Sequence, residues 1–183
     1  MKKELFGGWL FYLQDKAETS PLSPERWTRD FDDKDWRPVT LPHDWAVDYP
    51  FDKKYASGTA YLCGGTGWYR YHFTNDKDAS GKRYRLCFDG VYKHCKVWCN
   101  GYYIGSHQNG YTSFSLDITE ALKHGGEDNV IAVQVRHEDI ADSRWYTGSG
   151  IDRPVYLKTS GEAHFADGGV FFYRASFKSR YKG

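Results

Sequence analysis

At 183 residues the chain is about one domain long, enough to bury roughly 70% of the surface its unfolded form exposes. Lys and Arg number 25 against 24 Asp and Glu, a formal charge of +1, so no basic field is present to hold nucleic acid or an anionic membrane. Aromatic residues make up 18%, with 7 Trp, 15 Tyr and 19 Gly but a single Met, a mixture that suits short strands and tight turns and predicts an all-β fold.

At the start of the chain, Lys2 and Lys3 precede an apolar stretch from Leu5 to Leu13 with the outline of a signal peptide. Glu4, the Gly7-Gly8-Trp9 interruption and the lack of a small-x-small cleavage site argue against one; the compartment, cytoplasmic or periplasmic, stays open. No apolar run approaches the roughly 18 residues of a membrane helix, and no membrane partner is expected. Gly8 to Leu13 reads as a strand, whereas the region holding Trp27 and Trp36 gives no clear pattern. Two long polar loops, Pro21 to Asp35 and Leu41 to Gly67, are the kind of segment in which binding residues collect.

Period-two alternation then takes over, the pattern of half-buried strands. Tyr69, Tyr71 and Phe73 alternate with Arg70 and His72, and Tyr84, Leu86 and Phe88 with Arg83 and Arg85. Lys93 to Cys99, Asn100-Gly101 and Tyr102 to Gly105 predict a hairpin with a two-residue type I′ turn and a fixed register. Phe114, Leu116 and Ile118 mark another strand, Thr119 to Lys123 one helical turn, and Ile131, Val133, Val135 and then Val155 with Leu157 the last strands. The total is eight or nine strands, which two packed antiparallel sheets would close.

Catalytic and metal motifs are scarce. There is no G-x-S-x-G, no H-x-x-x-H, no phosphate-binding glycine loop and no EF-hand spacing; Gly148-Ser149-Gly150 is too short to count as a nucleophile elbow. Cys63, Cys87, Cys95 and Cys99 lack the paired spacing of a zinc site. Cys95 and Cys99 share one strand face with Val97 and read as small buried hydrophobes, with disulfides left open. Asp32-Asp33-Lys34-Asp35 could offer oxygens to calcium but reads as a solvated loop, and His137-Glu138-Asp139 as structural or exposed. Two clusters combine a flat ring with charged groups, Pro42-His43-Asp44-Trp45 and Asp142-Ser143-Arg144-Trp145-Tyr146. Sugars call for that chemistry, because their C–H faces stack on rings and their hydroxyls match carboxylates and guanidinium groups. The same clusters serve equally as a Trp anchoring a loop.

Six blocks fall in a recognisable order: Leu41-Pro42-His43-Asp44-Trp45, Gly64-Gly65-Thr66-Gly67-Trp68-Tyr69-Arg70, Phe88-Asp89-Gly90-Val91, Val97-Trp98-Cys99-Asn100-Gly101, Gly110-Tyr111-Thr112-Ser113-Phe114 and Ser143 to Ile151. Over about residues 4 to 160 the chain resembles the N-terminal domain of glycoside hydrolase family 2, above all its β-galactosidases. The resemblance implies a galactose-binding-like jelly-roll β-sandwich of two antiparallel sheets in residues 1–160. It implies that residues 161–183 are a linker and the first strand, Val170 to Tyr173, of an immunoglobulin-like domain, with a catalytic (β/α)8 barrel beyond. Without its sheet that strand is expected to fold back on the sandwich, pair with another chain or be disordered.

In that family two barrel glutamates carry out a retaining hydrolysis. None of Glu4, Glu18, Glu25, Glu120, Glu127, Glu138 and Glu162 follows an Asn as the family's acid/base does. No catalytic residue, metal or cofactor is therefore expected here, and the chain alone is expected to be inactive. What the resemblance carries over is sugar positioning, by Asp142, Arg144 and Trp145, with Asp44 and the Gly64 to Gly67 loop beside them. Gly64 stands where some members have an Asn, and Asp152 where many have an aromatic residue; His43 and Asp44 also fit a role bridging their loop to the sandwich. The implied partners are a β-galactoside or related glycan, held weakly, and the rest of a parent glycosidase, a homo-oligomer being open. The alternatives are a free-standing carbohydrate-binding module and a structural or dimerising domain without ligand.

Overall fold

The computed structural model describes residues 1–15, 18, 25–75, 81–137, 143, 145–166 and 169–173. Among these, ten strands form two antiparallel sheets. The strands are β1 (Lys2–Glu4), β2 (Trp9–Gln14), β3 (Arg37–Val39), β4 (Gly65–Thr74), β5 (Lys82–Phe88), β6 (Cys95–Cys99), β7 (Tyr102–His107), β8 (Phe114–Asp117), β9 (Asp128–His137) and β10 (Val155–Gly161). One sheet has four strands in the order β1-β10-β5-β8, the other six in the order β3-β2-β4-β9-β6-β7. The all-β sandwich read from the alternation is what forms.

The strands beyond the expected eight or nine are edge strands without an apolar pattern. β1 is Lys-Lys-Glu and exposed, and β3 is Arg-Pro-Val at the margin of its sheet, where a proline costs no ladder hydrogen bond. Charge and proline at an edge discourage further pairing, so these strands are short by necessity and silent in a period-two reading. The hairpin forms with Asn100 and Gly101 at φ 51° and 85°, as a type I′ turn requires. Its register is not uniform: Cys99 pairs with Tyr102 and Trp98 with Tyr103, but Val97 pairs with Gly105, a bulge that alternation does not reveal.

The core lies between the sheets, built from Trp9, Phe11, Tyr69, Leu86, Phe88, Val97, Ile131, Val133 and Leu157 among others. Cys95, Val97 and Cys99 are all fully buried on one face, and all four cysteines are free thiols. Burial pushes the Cys95 and Cys99 thiols up to about 12, so they act as packing groups and not as nucleophiles. Gly67 sits where a Cβ would come within 2.7 Å of the Trp45 ring and 2.9 Å of Phe11, so the strand can cross the indole only without a side chain. Val170–Tyr173 form no strand and do not fold back on the sandwich; Phe171 and Phe172 are 87% and 93% exposed.

The unreadable region with Trp27 and Trp36 covers the outer face of the six-stranded sheet. Arg70 points outward from β4 yet is 0% exposed, because the 25–36 segment closes over it. Its guanidinium donates to the carbonyls of Arg26 (2.7 Å), Thr28 (2.9 Å) and Arg29 (3.2 Å) and pairs with the carboxylate of Asp33. Trp27 then stacks on Trp68 and Trp98, with centroids 6.2 and 5.8 Å away. Asp33 also meets His72 at 2.8 Å; burial raises its pKa, but the hydrogen bonds from His72 and Arg70 outweigh that and hold the carboxyl below its ordinary range. Arg70→Met strands three carbonyls and a carboxylate, and should cost about 3–5 kcal/mol, near 10 °C in calorimetric Tm. Arg70→Met with Asp33→Leu should recover part of that loss; a single variant melting with the wild type would contradict the strap.

Candidate functional site

One end of the sandwich is built from two loops that meet at a carboxylate. The 41–48 loop enters through a cis Leu41–Pro42 peptide and lays its backbone along the 149–151 segment, His43 N–H to the Ile151 carbonyl (2.8 Å) and Trp45 N–H to that of Ser149 (3.0 Å). The Trp45 ring is fully buried and stacks on Phe11 at 5.8 Å. Asp44, half-buried, accepts from the backbone N–H of Ala46 (3.0 Å) and of Ser149 (2.8 Å), and from the Tyr146 hydroxyl in a short bond. Burial first, then this bond to an acceptor of negative charge, raises the Tyr146 phenol far above its ordinary value.

Gly148-Ser149-Gly150, unremarkable as a motif, is what lets the second loop approach. Gly148 has φ 77° and lies so near Asp44 that a Cβ would be 3.1 Å from its Oδ2. Gly150 has φ 133°, and a Cβ there would meet the Tyr69 hydroxyl at 2.4 Å and the His43 carbonyl at 2.5 Å. Ser149 Oγ lies 2.7 Å from His137 Nδ1, which ties the turn to the end of β9. His43 is anchored on both sides, Nδ1 to the Tyr69 hydroxyl (2.8 Å) and Nε2 to Asp48 (3.0 Å), which also takes Arg37 at 2.5 Å. Burial lowers the His43 pKa, with Asp48 opposing. An ionised Asp48 only accepts, so Nε2 carries the proton and Nδ1 accepts from Tyr69.

Beyond this fixed base stands an aromatic rim. Trp145 is 62% exposed and its indole N–H donates to the Tyr111 hydroxyl at 3.0 Å. Tyr111 is itself exposed, packs edge-on against Tyr92, and accepts Arg153 Nη1 on its carbonyl at 3.2 Å. Gly110 permits this fold of the loop, since a Cβ there would fall 2.0 Å from the Tyr92 ring. Gly64, half-buried, immediately precedes β4, and Gly65 pairs with His137, so the Gly64 loop lies beside the end of β9.

The structure thus brings Asp44, Trp145 and Gly64 to one end. Asp142 and Arg144 lie outside the described residues, as do Glu138 and Asp139. Asp44 has its oxygens engaged inside the chain, on Ala46, Ser149 and Tyr146. Asp152 is half-buried beside Arg153, and burial raises its carboxyl pKa. Tyr111 and the Arg37–Asp48 anchor of His43 were not singled out from sequence. Tyr111 stood within a quoted block, but Arg37 and Asp48 carry no local signal, because they meet His43 only across the fold.

Comparison with known proteins follows the same outline. The model of one family, described as glycosyl hydrolases family 2, sugar binding domain, matches residues 2–161. Among curated proteins, "Beta-galactosidase BoGH2A" of Bacteroides ovatus is 41% identical over 170 residues, covering 92% of this chain and 19% of that protein. A "Putative beta-glucuronidase" of Formosa agariphila is 35% identical over 174 residues, covering 94% of this chain and 16% of its own length. Among solved structures, a beta-glycosidase from Bacteroides vulgatus superposes with a TM-score of 0.79 at 35% identity, over 88% of this chain and 20% of that one. The chain therefore spans about a fifth of the length of the proteins it matches.

The base of the rim is testable by itself. Asp44→Asn keeps one acceptor and loses the charge on its hydrogen bonds, and should lower stability by about 2 kcal/mol, a fall of roughly 5 °C in thermal melting. A variant as stable as the wild type would release Asp44 from this role.

Proposed function

Because the chain belongs to glycosyl hydrolase family 2, matching its sugar binding domain, we propose that it positions a glycan for a retaining glycosidase whose acid/base and nucleophile lie outside these residues. The observation that carries this reading is the rim: an exposed Trp145, held by Tyr111, on a base that Asp44 locks to the sandwich. A flat, largely exposed indole suits the C–H surface of a pyranose, and its hydrogen bond to Tyr111 lowers the cost of ordering it. In this reading Trp145 stacks on the sugar, and Asp142 and Arg144 in the same loop hydrogen-bond its hydroxyls. The Gly64 loop borders the site through its backbone, and Asp44 acts through Tyr146 and Ser149. A β-galactoside is the favoured glycan, in keeping with the similarity to "Beta-galactosidase BoGH2A".

The domain acts as part of a larger protein. Val47, Tyr49, Phe51 and Tyr61, all exposed, lie on the loops between the rim-building 41–45 segment and β4, an apolar surface that the rest of the parent enzyme covers. In this reading residues 161–183 are a linker and the first strand of an immunoglobulin-like domain, and the exposed apolar side chains of Val170–Tyr173 are those that its sheet would cover. Among the described residues no carboxylate pair stands free at the rim, since Asp44 is engaged and Asp48 pairs with Arg37 and His43.

Two measurements test this. The pure chain should release no nitrophenol from p-nitrophenyl β-D-galactopyranoside above the blank, and turnover would contradict the division of labour. Titration calorimetry with methyl β-D-galactopyranoside should give at best millimolar binding that Trp145→Ala weakens severalfold, about 0.5–1.5 kcal/mol of stacking energy being lost. Binding unaffected by that substitution would place the sugar elsewhere.

A further inference from the structure

At the end of the sandwich opposite the rim the sheets part. β1, β10 and β5 on one side and β4 on the other border an open cavity of about 550 Å³, within the size range of small-molecule sites. Cross-strand partners share a face, and Lys3 pairs with Leu157, as Tyr84 pairs with Thr159. Leu157 faces the core, so Lys3 points between the sheets, while its neighbour Lys2 lies outside over the Tyr156 ring. Leu5, Tyr71, Phe73, Tyr84 and Leu157 line the walls, and Lys3 stands at the mouth.

An inward lysine on a short edge strand guards that edge against pairing. This one has more around it. Lys3 has no carboxylate partner among the described residues, and the cavity lining they supply contains lysines but no Asp or Glu. Tyr84 keeps a buried hydroxyl with no hydrogen-bond partner among the described residues, an omission that native interiors rarely leave. An apolar slot with aromatic walls and, among the described lining residues, lysines without an acidic neighbour is complementary to an amphiphile with a negative head.

We propose that this cavity binds a small amphiphilic anion, an aryl or short-chain alkyl carboxylate. Its apolar body lies between Phe73 with Tyr71 and Leu157 with Leu5, and its carboxylate meets Lys3. The ten residues of β4 separate this mouth from the rim by about 30 Å, so the site stands or falls independently of the sugar reading.

The test is a titration of the isotope-labelled chain with 3-phenylpropionate, followed by backbone amide shifts, with 3-phenylpropanol and 3-phenylpropylamine as neutral and cationic counterparts. The expected result is saturable movement of the amides of Tyr71, Phe73, Tyr84 and Leu157 with a dissociation constant of about 1 mM. The alcohol should bind more weakly and the amine weakest. Lys3→Gln, on an exposed strand that the core does not need, should weaken the carboxylate by roughly threefold to fivefold, the scale of a partly exposed ion pair. Excess methyl β-D-galactopyranoside should leave these shifts in place. Absence of saturable movement at those amides, equal affinity for all three probes, or Lys3→Gln binding as tightly as wild type would each overturn the proposal.

Discussion

Three hydrogens converge on the carboxylate of Asp44, and that convergence makes one surface out of two loops far apart in sequence. Ala46 and Ser149 give backbone N–H groups and Tyr146 its hydroxyl. A neutral acceptor would hold them less well, because hydrogen bonds to a charged group are roughly twice as strong as those between neutral partners. The 41–48 loop and the 146–149 turn are joined at this point. Trp145 is the residue just before Tyr146, so fixing the tyrosine hydroxyl also fixes where the exposed indole starts. The glycines at 148 and 150 leave the space that the approach requires.

The sandwich itself is held by a different arrangement at the outer face of the six-stranded sheet. A fully buried guanidinium is costly unless its donors are used, and Arg70 uses its donors on Asp33 and three carbonyls of one segment. That segment has no strand or helix of its own along 26–36, so the arginine and the Trp27–Trp68–Trp98 stack supply the order that secondary structure would otherwise give. The result is a body closed by that segment on its outer face and cross-linked at the rim through Asp44, with a cleft where β1 and β10 part from β4.

Much of this was legible in the sequence, and the parts that were not share a cause. Period-two alternation exposed β4, β5, β9 and β10 because one face of each is apolar; β1 and β3 escaped because edge strands carry charge and proline. The type I′ turn at Asn100-Gly101 was plain, whereas the bulge beside Val97 depends on cross-strand packing. Arg70 read as the polar partner in an alternating strand, and nothing local tells a solvated arginine from one sealed under a loop 40 residues away. At the rim, Asp44 and Trp145 stood out by composition and resemblance. Tyr111, Arg37 and Asp48 join only through tertiary contact, which a linear pattern does not encode.

The account turns on the rim being where a sugar meets this chain. Its most direct measurement is an amide shift map of the isotope-labelled protein under increasing methyl β-D-galactopyranoside. The account predicts perturbations gathered at residues 44–46, 110–112 and 143–150, with the ends of β4 and β10 near Thr74 and Gly161 unmoved. Perturbations centred on the outer face around Trp27, Trp98 and Tyr103, with residues 143–150 silent, would contradict it.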